Sequence, residues 1–363
     1  MLNKPKKLNA LDLEMVRLIM PEYDAWVGSG QHQCIVMRGA GEKAFCAGGD
    51  IASVRTSSLE GGSLAQDFFY EEYQLNYRIA TAYARSGIVQ VSFWDGITMG
   101  GGVGLSLHGK VRVATEKTLF AMPETGIGLF PDVGGTFALS RLAAGPEIGM
   151  YLALTGCRLG AADCMYAGLT THYVPHDDVE ALVSDLEECE PEIDAIEAVL
   201  QAHSKDKSPP APKKDPHMSL EARHEAIKTC FRIDDSVEAI LERLDNMAND
   251  ESANEDDRTW AKTSHDAIMK ASPTSVCLSY EAVRRHAQPD VDIGTALTNE
   301  YRLTQRICVP DGDFFEGVRA VLVDRDQKPQ WKFDSIQNVP QQFIQDHFEP
   351  LPESHSRGEL RLS

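Results

Sequence analysis

The chain has 363 residues, 42% of them hydrophobic and 25% charged, an ordinary globular balance that can bury a core without disulfide staples. Its 35 basic against 55 acidic residues leave a net charge of −20, which repels phosphate backbones and argues against direct nucleic-acid binding. No apolar run approaches the ~18 residues of a membrane span. The eight cysteines show neither a Cys-x-x-Cys pair nor zinc-like spacing, so reduced, mostly buried thiols are expected and no metal site.

In chain order, the N-terminus shows no apolar signal-peptide core and no Arg- and Ser-rich presequence. Leu11, Met15, Leu18, Ile19 and Tyr23 recur at spacings of three and four, which predicts one apolar helix face within residues 1–30. Residues 33–38 read as a short buried strand, followed by the turn Gly39-Ala40-Gly41. A cluster of small residues, Ala44-Phe45-Cys46-Ala47-Gly48-Gly49-Asp50-Ile51, comes next. Residues 88–93 predict a second strand, running through Asp95-Gly96 into Gly100-Gly101-Gly102-Val103-Gly104, and residues 111–114 a third. Strand, glycine turn, helix, strand is the rhythm of an α/β protein. Residues 203–217, rich in Pro and Lys, predict an exposed loop. A helix is expected from near Asp235, with Asp235 in the cap position of a capping box and Val237, Ile240, Leu241 and Leu244 as its apolar stripe. Residues 245–257 are acidic and polar, a loop or a solvated helix end. No internal repeat is visible.

Chemistry is suggested at three places. The Gly triplet lets the backbone approach a ligand, and a helix starting there would point unpaired N–H groups at an anion or a developing oxyanion. A tight packing turn explains the same residues. The cluster around Cys46 also permits close approach, so two amides from separate turns could converge on one oxygen. Glu124 and Asp132 flank a nearly uncharged Gly- and Pro-rich stretch, where desolvation would raise a carboxyl pKa and suit acid–base work; a helix cap and a turn are the plainer reading. The stretch from Gly104 to Lys110 imitates a P-loop, but Val111 stands where magnesium needs Ser or Thr. No Gly-x-Ser-x-Gly elbow is present.

Taken together, these segments resemble the crotonase (enoyl-CoA hydratase/isomerase) superfamily. Leu2-Asn3-Lys4-Pro5 through Leu11 looks like its entry motif, Phe45 to Asp50 and Gly96 to Gly104 like its two oxyanion loops, and Phe120 to Gly135 like its catalytic segment. Several stretches look like the hydrolase branch that acts on 3-hydroxyacyl-CoA: Glu71-Glu72-Tyr73, residues 113–117, residues 128–135, Ser272-Pro273-Thr274-Ser275, Glu300-Tyr301-Arg302-Leu303 and residues 313–320. The resemblance implies a spiral of β-β-α turns with a helical C-terminal region. It implies oxyanion amides at Cys46 and Gly101, and Glu72, Glu124 and Asp132 lining the acyl pocket, with Glu124 and Asp132 catalytic. It implies a small acyl-CoA as partner with no cofactor beyond the CoA of the substrate, a mitochondrial location, and either a homo-oligomer or membership of a larger mitochondrial assembly. The expected organisation is a spiral core over 1–190, a variable insert over 191–260, a helical region over 261–335 and a tail over 336–363.

Three departures from the family pattern matter. Hydratases of this family carry a second glutamate two residues after the Gly triplet. Here that position is Gly104, so thioester hydrolysis is expected over hydration, with a non-catalytic structural role as the other alternative. Family members usually have a strand pair before the entry motif, so a shortened start or a lost first hairpin is expected. Residues 81–87 are polar where relatives have a shorter connection.

Overall fold

The computed structural model describes residues 1–190, 192–210 and 219–362. Its strands are β1 (Cys34–Met37), β2 (Ala44–Ala47), β3 (Val89–Trp94), β4 (Ile97–Met99), β5 (Val111–Ala114), β6 (Leu119–Ala121) and β7 (His172–Tyr173). They build two sheets, ordered β1-β3-β5-β7 and β2-β4-β6, and every pairing is parallel. Successive strands alternate between the sheets, and a helix or helical turn returns the chain to start the next pair. That is the expected β-β-α spiral.

Strand β3 is buried along its whole length, as a central parallel strand covered on both faces should be. Val89, Val91 and Phe93 face one core with Leu182, Leu186, Ile196 and Leu200. Those four come from helices Val179–Glu188 and Ile193–Ser204, so the first helix after residue 190 belongs to the layer on the outer face of the sheet. On the other face, the Gln90 amide donates to Ser92 Oγ at 3.0 Å and to the Leu105 carbonyl at 2.7 Å, and the Trp94 indole N–H donates to Ser106 Oγ at 2.8 Å.

The strands at β1, β3 and β5 lie where the sequence places them. β4 and β6, of three residues each, are too short to carry a hydropathy signal, and β2 lies within the small-residue cluster 44–51. The first helix, Leu13–Ser29, buries Met15, Val16 and Tyr23. Leu18 departs from the expected face: it is 64% exposed, and Leu11 is buried ahead of the helix rather than in it. Residues 81–86 are the last turns of helix Leu64–Ser86, which ends on Gly87 at φ 73°.

After β7 the described residues form helices joined by loops, with no further strand. Helix Leu220–Cys230 precedes helix Val237–Asn249, whose cap is Ser236 and not Asp235: its side chain accepts from the Ala239 N–H. The expected stripe Val237, Ile240, Leu241 and Leu244 is buried. The acidic stretch is mostly helix, because Asn254 caps a further helix, Glu255–Lys270. Of the Pro/Lys-rich stretch expected as a loop over 203–217, residues 203 and 204 end helix Ile193–Ser204, and residues 211–217 lie outside the described residues. Helices Pro273–His286 and Ile293–Ile307 then pack back over the spiral, with Tyr301 edge-on to Tyr70 and Tyr73 at ring separations of 5.5 and 6.5 Å. All eight cysteines are free thiols, with Cys46, Cys164, Cys230 and Cys308 buried. No helix among the described residues is long and apolar enough to cross a membrane.

Candidate active site

Where the spiral meets the C-terminal helices there is a cavity of about 450 Å³, lined by Gly49, Gly101, Glu72, Glu124 and Asp132 together with apolar side chains such as Phe68 and Leu129. Its size and its few convergent polar groups suit a small ligand. A groove of about 480 Å³ opens elsewhere, beside residues 234–238 and Ile344. There the acids Asp235 and Glu281 are already paired with Arg243, Arg284 and Arg285.

The glycines of the triplet divide their tasks. Gly100 sits at φ 43°, where a side chain would be strained, and turns the chain out of β4 into the helical turn Gly101–Gly104. A Cβ on Gly101 would point into the cavity, 2.8 Å from Glu72 Oε1 and 3.4 Å from the Gly49 amide nitrogen. A Cβ on Gly102 would instead strike Cys46, whose Cβ is 2.7 Å away. Cys46 therefore packs behind the triplet, fully buried in β2 and outside the cavity lining. The expected convergence of two loops is present, but the amide that faces Gly101 is that of Gly49, three residues on. Among the described residues neither the Gly49 nor the Gly101 amide is paired with a backbone acceptor.

Helix Leu64–Ser86 supplies the opposite wall. Its spacing brings Phe68, Phe69, Glu72, Tyr73 and Asn76 inward together, all of them buried. Glu72 and Glu124 are nearly solvent-free, and Glu72 Oε1 and Glu124 Oε2 have no hydrogen-bond partner. Burial pushes both carboxyls well above the usual range, and the charge of Asp132 adds to it. Asp132 accepts a hydrogen bond from the Tyr73 hydroxyl at 2.7 Å. Burial raises it to about 6, against the opposing pull of that hydroxyl. None of the three carboxyls makes an ion pair among the described residues.

The loop carrying Asp132 is held from beneath. Val133 stands at φ 56°, an outlier for a β-branched residue. Its carbonyl accepts from His108 Nε2 at 2.8 Å, so that nitrogen carries the ring proton; burial lowers His108 to about 4 and keeps the ring neutral. Glu300, on helix Ile293–Ile307, accepts from the Gly134 amide at 2.6 Å, from the Thr136 amide at 3.2 Å and from the Thr136 hydroxyl. The Asn299 amide donates to His286 Nε2 at 3.2 Å, which leaves His286 Nδ1–H to donate to Thr136 Oγ1 at 2.8 Å. Glu300 and Tyr73 lie in segments that match the family pattern, but their tasks arise only in the fold, since their partners lie 166 and 59 residues away.

Position 104 is closed. A Cβ there would lie 2.6 Å from Val133 Cβ and 2.8 Å from Asn76 Nδ2, so no acid can be added without moving both. No cluster of three or more His, Cys, Asp or Glu side chains among the described residues is placed to hold a metal.

A family model described as enoyl-CoA hydratase/isomerase matches residues 1–348. Among curated relatives, the chain is 42% identical over 353 residues to the mitochondrial 3-hydroxyisobutyryl-CoA hydrolase of Danio rerio, covering 97% of this chain and 87% of that one. To the Homo sapiens protein of the same name it is 41% identical over 355 residues, covering 97% and 86%. Among solved structures, a carnitinyl-CoA dehydratase from Mycobacterium thermoresistibile superposes with a TM-score of 0.82 at 33% identity, covering 99% of this chain and 94% of that one.

Proposed function

The chain belongs to the enoyl-CoA hydratase/isomerase family, and from that premise we propose that it hydrolyses the thioester of 3-hydroxyisobutyryl-CoA to the free acid and CoA, a step of valine catabolism in mitochondria. The observation that carries the reading is the unpartnered Glu124 oxygen, buried in a cavity that also holds two unpaired amides. Support comes from the names of the relatives above 40% identity, against 33% for the dehydratase. The closed position 104 weighs the same way, since hydration needs an acid there.

In this mechanism the thioester oxygen sits between the Gly49 and Gly101 amides. As general base, Glu124 takes a proton from water while the water oxygen bonds to the carbonyl carbon. The carbonyl oxygen becomes negative and the two amides stabilise it, each such donor contributing about 2.7–4 kcal/mol in acyl transfer. Collapse breaks the C–S bond, and the thiolate leaves with the proton that Glu124 took. As nucleophile, Glu124 would instead attack the carbonyl carbon and expel the CoA thiolate to form an anhydride; water then cleaves it, freeing the acid and the Glu124 carboxylate and leaving a proton for the thiolate. Asp132 holds the substrate hydroxyl. The reading calls for no added cofactor or metal. Dilution followed by light scattering tests whether the chain also self-associates.

The test is CoA release from 3-hydroxyisobutyryl-CoA by the purified chain, beside hydration of crotonyl-CoA by the same preparation. The proposal expects the first reaction to be the faster. Hydration outrunning release overturns it, and no release at all overturns it in favour of a structural role.

A further inference from the structure

Glu72 and Asp132 share one cavity, yet the hydrogen bonds around them differ. Tyr73, the next residue after Glu72, donates its hydroxyl to Asp132 at 2.7 Å. A donating phenol favours the charged form of its partner, so Asp132 is the more readily ionised of the pair. Glu72 Oε1 has no partner, although it lies over Gly101 on the cavity wall. No cation pairs with either acid among the described residues. The charge on Asp132 opposes a second charge on Glu72, and the member of that pair without a donor holds its proton longer. Burial and the charge of Asp132 push Glu72 in that same direction.

The pair therefore offers one donor and one acceptor, both without a second partner to satisfy Glu72. An alcohol has the complementary need, since its oxygen accepts while its hydrogen donates. We propose that Glu72, carrying its proton, is a specificity-determining residue for the acyl hydroxyl: Glu72 donates to the hydroxyl oxygen, and Asp132 accepts the hydroxyl hydrogen. This rests on the thioesterase reading above and sharpens its substrate class to acyl-CoAs whose hydroxyl reaches both acids at once. An acyl chain without the hydroxyl leaves the buried Glu72 donor without a partner, which is the costly state.

The experiment measures kcat/KM for CoA release from 3-hydroxyisobutyryl-CoA and from isobutyryl-CoA, which lacks the hydroxyl, in the wild-type protein, Glu72→Gln and Glu72→Leu. Glutamine keeps a donor and leucine has none. The ratio of the two substrates should stay within about threefold of wild type in Glu72→Gln and fall roughly 10- to 100-fold in Glu72→Leu. Should leucine prevent folding, Glu72→Met makes the same comparison. Equal collapse of the ratio in both variants overturns the proposal, because Glu72 would then act as a carboxylate. An unchanged ratio in Glu72→Leu also overturns it and leaves Glu72 as cavity wall. A wild-type protein that hydrolyses both substrates equally well retires the hydroxyl clamp while the thioesterase reading stands. A wild-type protein that releases no CoA from either retires both.

Discussion

Two buried glutamates attend the same loop in opposite ways. Glu300, beneath it, accepts from two backbone amides and a hydroxyl, so its oxygens are committed to holding Gly134 and Thr136 in place. Glu124, above it, leaves Oε2 bare inside the cavity. Burial raises both, Glu300 to about 8 and Glu124 well above the usual range. A shifted pKa alone therefore does not separate a carboxyl poised for chemistry from one that fastens a loop. The hydrogen-bond partners do: a satisfied buried acid is structure, and a bare one facing a cavity is a group waiting for a ligand.

The contrast can be broken most severely at the front of the cavity. Gly101→Val places a branched side chain against Glu72 and the Gly49 amide, and it should abolish both acyl-CoA binding and turnover. Calorimetry showing unchanged binding would make the triplet a packing turn and nothing more. Glu124→Gln should lower kcat at least about a hundredfold, the low end for an acid–base or nucleophilic group, with the thermal midpoint nearly unmoved. The wild-type rate should also climb with pH through a raised pKa, because Glu124 acts ionised and burial holds its proton on. A rate that falls across that range assigns the base elsewhere. Asp132→Asn should cost the hydroxylated substrate about tenfold more than isobutyryl-CoA, since it removes the acceptor of the hydroxyl. Equal losses would place Asp132 in the bond-making step.

The smallest effect belongs to the clamp. Glu300→Gln should leave chemistry possible and show itself in stability. The native state holds the Glu300 proton up to about 8, where an unfolded glutamate has already lost it. In that window the folded state binds more protons, so Glu300's contribution to stability declines as pH rises towards 8. Urea unfolding at several pH values should show a shallower decline in Glu300→Gln than in wild type. Parallel curves would mean that Glu300 carries its charge throughout.

The same division explains what the sequence could tell. β3 and β5 are legible because apolar residues alternate along them, Val89, Val91 and Phe93 in one and Val111 and Val113 in the other, and Glu124 and Asp132 because they sit eight residues apart in one motif. The three-residue strands β4 and β6 are too short for any period to register. The motif around Cys46 identifies the loop but not which of its successive amides turns towards the ligand; Gly102 packing onto Cys46 leaves Gly49 beside Gly101. Leu18 fits the helical spacing yet faces outward, because Val16 and Tyr23 meet the core instead. Glu300 was out of reach for a different reason. Its task exists only once helix Ile293–Ile307 lies beneath a loop formed 166 residues earlier.

The closed space around Gly104 bears on how activities are separated within such a family over evolutionary time. A lineage gaining a second acid by Gly104→Glu alone meets Val133 Cβ at 2.6 Å and Asn76 Nδ2 at 2.8 Å, and it disturbs the loop that carries Asp132. That step destabilises the fold before any new activity can be selected. The passable route begins with a smaller residue at 133. Glycine there would also relieve the positive φ of 56°. Hydrolase and hydratase are thus separated by more than position 104, because Val133 and Asn76 must both give way, and a library that varies position 104 on its own would miss the crossing.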